Sequence, residues 1–153
     1  MQKIFLTFFY SGLSPFAPGT VGTLAGAIVG VLLLSILPQS TLFLLSILIT
    51  VIAIKEIDKY EKITKTHDSK EIVIDEVAGI WIALSLSGGT ILQIVLSIIF
   101  FRIFDILKPS YIGKIDRDVK GGLGVMGDDL LAGVIAGICS AGVFQLIGYF
   151  IAI

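Results

Sequence analysis

Five carboxylates and three cations stand out from an otherwise apolar chain: Asp75, Glu76, Asp105, Asp128 and Asp129, with Arg102, Lys108 and Lys120. Asp75 and Glu76 sit at the mouth of an apolar helix, and Asp128 and Asp129 are expected to open another. Adjacent carboxylates at a helix start complement the dipole, but they also suit a hard cation, which takes oxygen ligands. Arg102, Asp105 and Lys108 follow at i,i+3 spacing on one stripe that Pro109 ends. At its plainest that stripe is a structural Arg–Asp pair. On the apolar helix of a membrane protein, however, such polar groups are a functional hypothesis by default. Lys120-Gly121-Gly122-Leu123-Gly124 is a glycine-rich segment whose N–H groups can converge on an anion. A flexible linker before a capped helix is the alternative, and the G-K-[ST] ending of a Walker A loop is absent. Two prolines and Gly19 fix a turn over residues 14–23, where Thr20 is expected to cap the next helix and Thr23 follows one turn on.

Phosphate and paired carboxylates repel unless a divalent cation lies between them. Oxygen-only ligands point to Mg²⁺ or a similar ion rather than zinc. Asp75, Glu76, Asp105, Asp128 and Asp129 are the candidate ligands, with Asp75, Glu76, Asp105 and Asp129 also candidates for catalysis. Arg102, Lys108 and Lys120 would neutralise phosphate, while Thr20, Thr23, Gly121, Gly122 and Gly124 would donate hydrogen bonds to it. The reaction class is metal-assisted phosphoryl transfer or phosphate ester hydrolysis. The attacking group stays open between water and a carboxylate acting through an aspartyl-phosphate. His67 reads as a loop residue or a hydrogen-bond partner rather than a metal ligand. The single cysteine, Cys139, excludes an intrachain disulfide and a Cys-based metal cluster.

These groups must be positioned by a chain of unusual composition. It has 153 residues, 56% hydrophobic and 15% charged, with net charge −1 and mean hydropathy +1.01. An ordinary soluble domain carries about 25% charged residues, so a water-soluble monomer is disfavoured, and no bulk attraction to nucleic acid is expected. The charges are also partitioned. None falls between Ile4 and Ile54, 12 fall between Lys55 and Glu76, none between Val77 and Phe101, 10 between Arg102 and Asp129, and none beyond. A bilayer imposes such a partition, because a charge at its centre costs several kcal/mol.

The pattern predicts an all-α, membrane-embedded compact bundle, one domain over 1–153, with helices near 20–37, 40–57 and 130–153. Gly22, Gly26 and Gly30, and Gly133 and Gly137, repeat every four residues and predict tight helix contacts. Ser87-Gly88-Gly89-Thr90 interrupts the middle apolar stretch. A helical hairpin turning there would have arms of about 20 Å, short of a full crossing, and would return Asp75, Glu76, Arg102 and Asp105 to one face. It would also place both charged segments, with 10 of the 11 Lys and Arg, on one side of the membrane. The positive-inside rule then makes that side cytoplasmic. Lys3 followed by Ile4–Tyr10 bears only a faint likeness to a signal peptide, with no clear A-x-A cleavage site after it.

The chain resembles the phosphatidylglycerophosphatase A family. The matching pieces run in order: Gly12-Leu13-Ser14-Pro15, Ala17-Pro18-Gly19-Thr20, His67-Asp68, Ile72 to Glu76 leading to Gly79 and Trp81, Phe101-Arg102-Ile103-Phe104-Asp105 with Lys108-Pro109, and Asp116-Arg117 through Gly121-Gly122-Leu123-Gly124-Val125-Met126 to Asp128-Asp129 and Ala132-Gly133. Two departures from the family pattern stand out. Ser110-Tyr111 stands where Trp-Pro is usual, and Gly127 replaces a bulky apolar residue. The resemblance implies a Mg²⁺-dependent phosphatase of the bacterial inner membrane that converts the phospholipid phosphatidylglycerophosphate to phosphatidylglycerol. Three other readings compete: a small transporter, a non-enzymatic membrane assembly factor, and a phosphatase of the same fold acting on another ester. A CDP-alcohol phosphotransferase would carry a D-G-x-x-A-R run, which this sequence lacks.

Overall fold

The computed structural model describes residues 1–66 and 69–151. His67 and Asp68, singled out above, lie outside them. The described residues form seven α-helices: α1 Gln2–Leu6, α2 Pro18–Leu34, α3 Gln39–Thr64, α4 Ile74–Ser87, α5 Ile91–Leu107, α6 Tyr111–Asp118 and α7 Gly121–Ile151. A 3₁₀ turn, Ser11–Leu13, links α1 to α2.

The helix ends follow local chemistry. Pro18 occupies the first turn of α2, where its missing N–H costs nothing. The N-cap there is Ala17, not the expected Thr20, which lies inside the first turn. The hairpin forms at the expected glycines. Gly88 (φ +118°) and Gly89 (φ +93°) take conformations that side chains rarely adopt, and Thr90 then starts α5 with a reciprocal capping box to Gln93. The arms have 14 and 17 residues, about 21 and 25 Å, so neither crosses a core about 30 Å thick.

α4 is apolar all round, and 12 of its 14 residues are buried, as expected of a helix enclosed by others. α2, α3, α5 and α7 surround it. Glycines permit the close approach. A side chain at Gly133 of α7 would overlap the Gly79 carbonyl of α4, and one at Gly26 of α2 would press on Val77 and Ile80. Trp81 Nε1 donates to the Gly26 carbonyl at 2.8 Å, so the one indole N–H is satisfied in the core.

α3 and α7 are long and apolar enough to cross a membrane, and only 28% of each apolar window is buried. Their outward faces carry Leu44, Leu48, Val51, Ile138 and Leu146, as α2 carries Leu24, Ile28 and Leu32. Large exposed apolar faces of this kind fit a lipid solvent. α7 differs from the expected 130–153 helix: it begins nine residues earlier, at Gly121. α6, a short charged helix, forms where the sequence pattern gives no expectation of an element.

Candidate active site

The charged end of the bundle holds a cleft of about 210 Å³ where α2, α4, α5, α6 and α7 converge. Asp75 and Glu76 reach it from the first turn of α4. Asp105 comes from the last turn of α5, and Asp128 and Asp129 from the third turn of α7. All five candidate carboxylates therefore line one cavity. The aspartate pair does not open its helix as expected. It lies within α7, both residues buried.

Cations compensate only part of this charge. Arg102 pairs with Asp105. Lys108 leaves the helical stripe as the left-handed C-cap of α5 and donates to Asp116 and, at 2.6 Å, to Asp128 Oδ2. Among the described residues, Asp75, Glu76 and Asp129 form no ion pair. Each of these three offers an oxygen within 4.8 Å of the others. Glu76 Oε2 and Asp128 Oδ1 are buried without a hydrogen-bond partner. Buried carboxylate oxygens left in that state are costly, and the donor set is oxygen only, so the residues fit a hard divalent cation.

The electrostatics agree. Burial, reinforced by the Glu76 charge, holds the Asp75 carboxyl well above the usual carboxylate range. Burial also pushes Glu76 up to about 8; the hydrogen bond with Asp75 opposes this, and the charges of Asp129 and Asp105 add to it. Burial alone would lower the Lys108 ammonium, but its bonds to Asp116 and Asp128 outweigh that and raise it.

The remaining candidates divide. Thr20 and Thr23 hold Arg102: Thr20 Oγ1 accepts from Nη2 at 3.2 Å and Thr23 Oγ1 from Nη1 at 3.3 Å. Gly19, one position earlier, lines the cleft, and a side chain there would overlap Glu76 Oε1. Gly124 also lines the cleft. Lys120 is exposed. Gly121 abuts Asp58 of α3, and the Gly122 N–H donates to Asp58 Oδ1 at 2.7 Å. The expected anion loop is thus the first turn of α7, with its leading amide engaged by a carboxylate of α3.

Three polar cleft residues were given no site role by the sequence reading: Ser69, Lys70 and Asp116. Lys70 is exposed on the rim and forms no ion pair among the described residues. Its only sequence signal was its place five residues before Asp75, in a loop where helical spacing gives no guide.

A family model described as phosphatidylglycerophosphatase A matches residues 4–144. The phosphatidylglycerophosphatase A of Escherichia coli (strain K12) is 40% identical over 142 residues, covering 92% of this chain and 80% of the relative. That of Haemophilus influenzae is 39% identical over 129 residues, 84% of this chain and 79% of the relative. A Bacteroides thetaiotaomicron protein, provisionally described as a phosphatidylinositol-3-phosphatase, is 38% identical over 149 residues, 93% of this chain and 92% of its own. No solved structure matches.

Proposed function

The chain belongs to the phosphatidylglycerophosphatase A family, and from that premise we propose that it hydrolyses the terminal phosphate monoester of phosphatidylglycerophosphate, leaving phosphatidylglycerol for bacterial phospholipid synthesis. One observation carries the site chemistry: three uncompensated carboxylates, Asp75, Glu76 and Asp129, gather their oxygens within 4.8 Å at the polar end of an apolar bundle. Those residues, with Asp128 Oδ1 beside them, would hold Mg²⁺. The chemistry a bound cation supplies is Lewis-acid polarisation of a phosphoryl oxygen.

The protein's own groups do the rest. Lys70 on the rim and Lys108 on the wall bind phosphate oxygens. Gly19 lines the cleft in the first turn of α2, where its amide has no intrahelical acceptor and would donate to the same phosphate. Arg102, anchored by Thr20 and Thr23, orients Asp105. Asp105 takes a proton from a water attacking phosphorus. The new P–O bond forms as the bond to the glycerol oxygen breaks, and the departing alkoxide takes a proton from solvent.

The partition of charge supports the location. Both Lys- and Arg-rich segments flank the cleft, and Lys3 joins them by pairing with Glu71 at 3.0 Å. By the positive-inside rule the cleft faces the cytoplasm from the inner membrane. A transporter would instead carry its ionisable groups near the bilayer midplane; here they cluster at one end of the bundle.

Phosphate release from a lipid panel tests the assignment: phosphatidylglycerophosphate, phosphatidylinositol 3-phosphate and phosphatidic acid, each with Mg²⁺. Fastest release from phosphatidylglycerophosphate is expected, and a higher rate on the inositol lipid would reassign the substrate. Asp105→Asn should lower the rate about 10²-fold or more; a folded variant at the wild-type rate would remove Asp105 from the chemistry.

A further inference from the structure

Two apolar grooves open on the surface away from the cleft. One, of about 300 Å³, lies between α2 and α5 and is lined by Leu24, Ala27, Ile28 and Val31 from α2 and by Ile94 and Ile98 from α5. The other, of about 350 Å³, lies between α1 and the pair Ile74 and Trp81. An apolar face in a lipid solvent needs no special occupant. What distinguishes a binding groove is a polar end that fixes what lies in it.

The α2–α5 groove has such an end. α2 leads away from the cleft and α5 returns to it. Ile94, Ile98 and Arg102 fall four residues apart, on one stripe of α5. Thr23, Ala27 and Val31 make the same stripe on α2. Arg102 bridges the two stripes by its bonds to Thr20 and Thr23 and pairs with Asp105, which lines the cleft. From Arg102 to Ile94 the stripe spans about 12 Å. The groove therefore hangs from the arginine that borders the candidate active site, and its flank is open, Ile28 being 63% exposed. The second groove lacks this continuity. Ile72 lines the cleft and Ile74 the groove, and residues 72–74 between them are buried.

We infer that the α2–α5 groove seats one acyl chain of the phospholipid whose headgroup phosphate occupies the cleft, with Arg102 at the junction of headgroup and tail. This rests on the proposed lipid phosphatase reading. The chain gains no hydrophobic energy by leaving the bilayer, since lipid tails are as apolar as leucine. The groove acts by alignment: it fixes the glycerol backbone, and through it the phosphorus, against the carboxylates. Misplacement by about 1 Å costs on the order of 10²-fold in rate.

Ile28→Trp fills the groove without touching the cleft, and Ile4→Trp fills the second groove as a control. Wild type and both variants are assayed in detergent with dioleoyl phosphatidylglycerophosphate and with its deacylated, water-soluble counterpart. Ile28→Trp should lower kcat/KM on the dioleoyl lipid tenfold or more while its rate on the deacylated ester stays within twofold of wild type. Ile4→Trp should change neither. Should wild type act on the dioleoyl lipid alone, the same tenfold loss with an unmoved thermal transition is the expected result. Equal loss on both substrates, no loss on either, or a chain-dependent loss in Ile4→Trp overturns the groove. A wild type that releases phosphate from neither substrate overturns the phosphatase reading itself.

Discussion

Asp75 and Glu76 are placed where ionisation is penalised, and that has a measurable sign. Burial raises both carboxyls, Glu76 to about 8 from an ordinary value near 4.5. The folded, metal-free protein then holds protons that the unfolded chain has released. The contribution of these two groups to stability is full below about pH 4.5 and is lost as pH rises through about 8. A divalent cation reverses this by displacing those protons. In detergent, the Tm of metal-free protein should fall between pH 6 and pH 9, and Mg²⁺ should raise Tm more at pH 9 than at pH 6. A Tm that climbs with pH, or a Mg²⁺ shift independent of pH, contradicts the assignment. These carboxylates were legible in the sequence because helix mouths and i,i+3 stripes obey a fixed period. Lys70 was not, since a loop has no period. Lys120, Gly121 and Gly122 lie outside the cleft lining, and the partner of the Gly122 amide, Asp58, is 64 residues away, beyond the reach of a local pattern.

At the scale of elements, the site depends on how closely α4 and α7 cross. Asp75 and Glu76 ride on one helix and Asp129 on the other, and the crossing is closed by Gly79 against Gly133, where even a methyl group would overlap a carbonyl. Gly133→Ala should cost roughly 1–3 kcal/mol by overpacking and should also weaken the Mg²⁺-induced rise in Tm, because it spreads the carboxylates. A variant with a lowered Tm and an undiminished Mg²⁺ shift would show that the crossing does not set the site. The hairpin and the glycine-lined contacts could be read in advance, since Gly88-Gly89 and the four-residue glycine repeats are local signals. The start of α7 could not. Asp128 and Asp129 looked like a helix opening, yet they lie inside α7 and line the cleft, where Asp128 is bonded to Lys108 from 20 residues away.

The whole molecule is a bundle with a polar end, and its orientation follows from the hairpin. Because α4 and α5 turn back without crossing, Ser69 before them and Ser110 after them lie on the same side. With Cys139→Ser as background, Ser69→Cys and Ser110→Cys should react with a membrane-impermeant thiol reagent from the same side of sealed vesicles; reaction from opposite sides contradicts the re-entrant hairpin. The gathered carboxylates are proposed to hold a divalent cation that phosphate release requires. The direct measurement is phosphate release from phosphatidylglycerophosphate by chelator-stripped protein as Mg²⁺ is titrated back, for wild type and Asp129→Asn. The expected outcome is no release without cation, saturable recovery with it, and a variant that needs at least tenfold more Mg²⁺ or stays silent. Full release by stripped protein, or wild-type rate and midpoint in the variant, would contradict it.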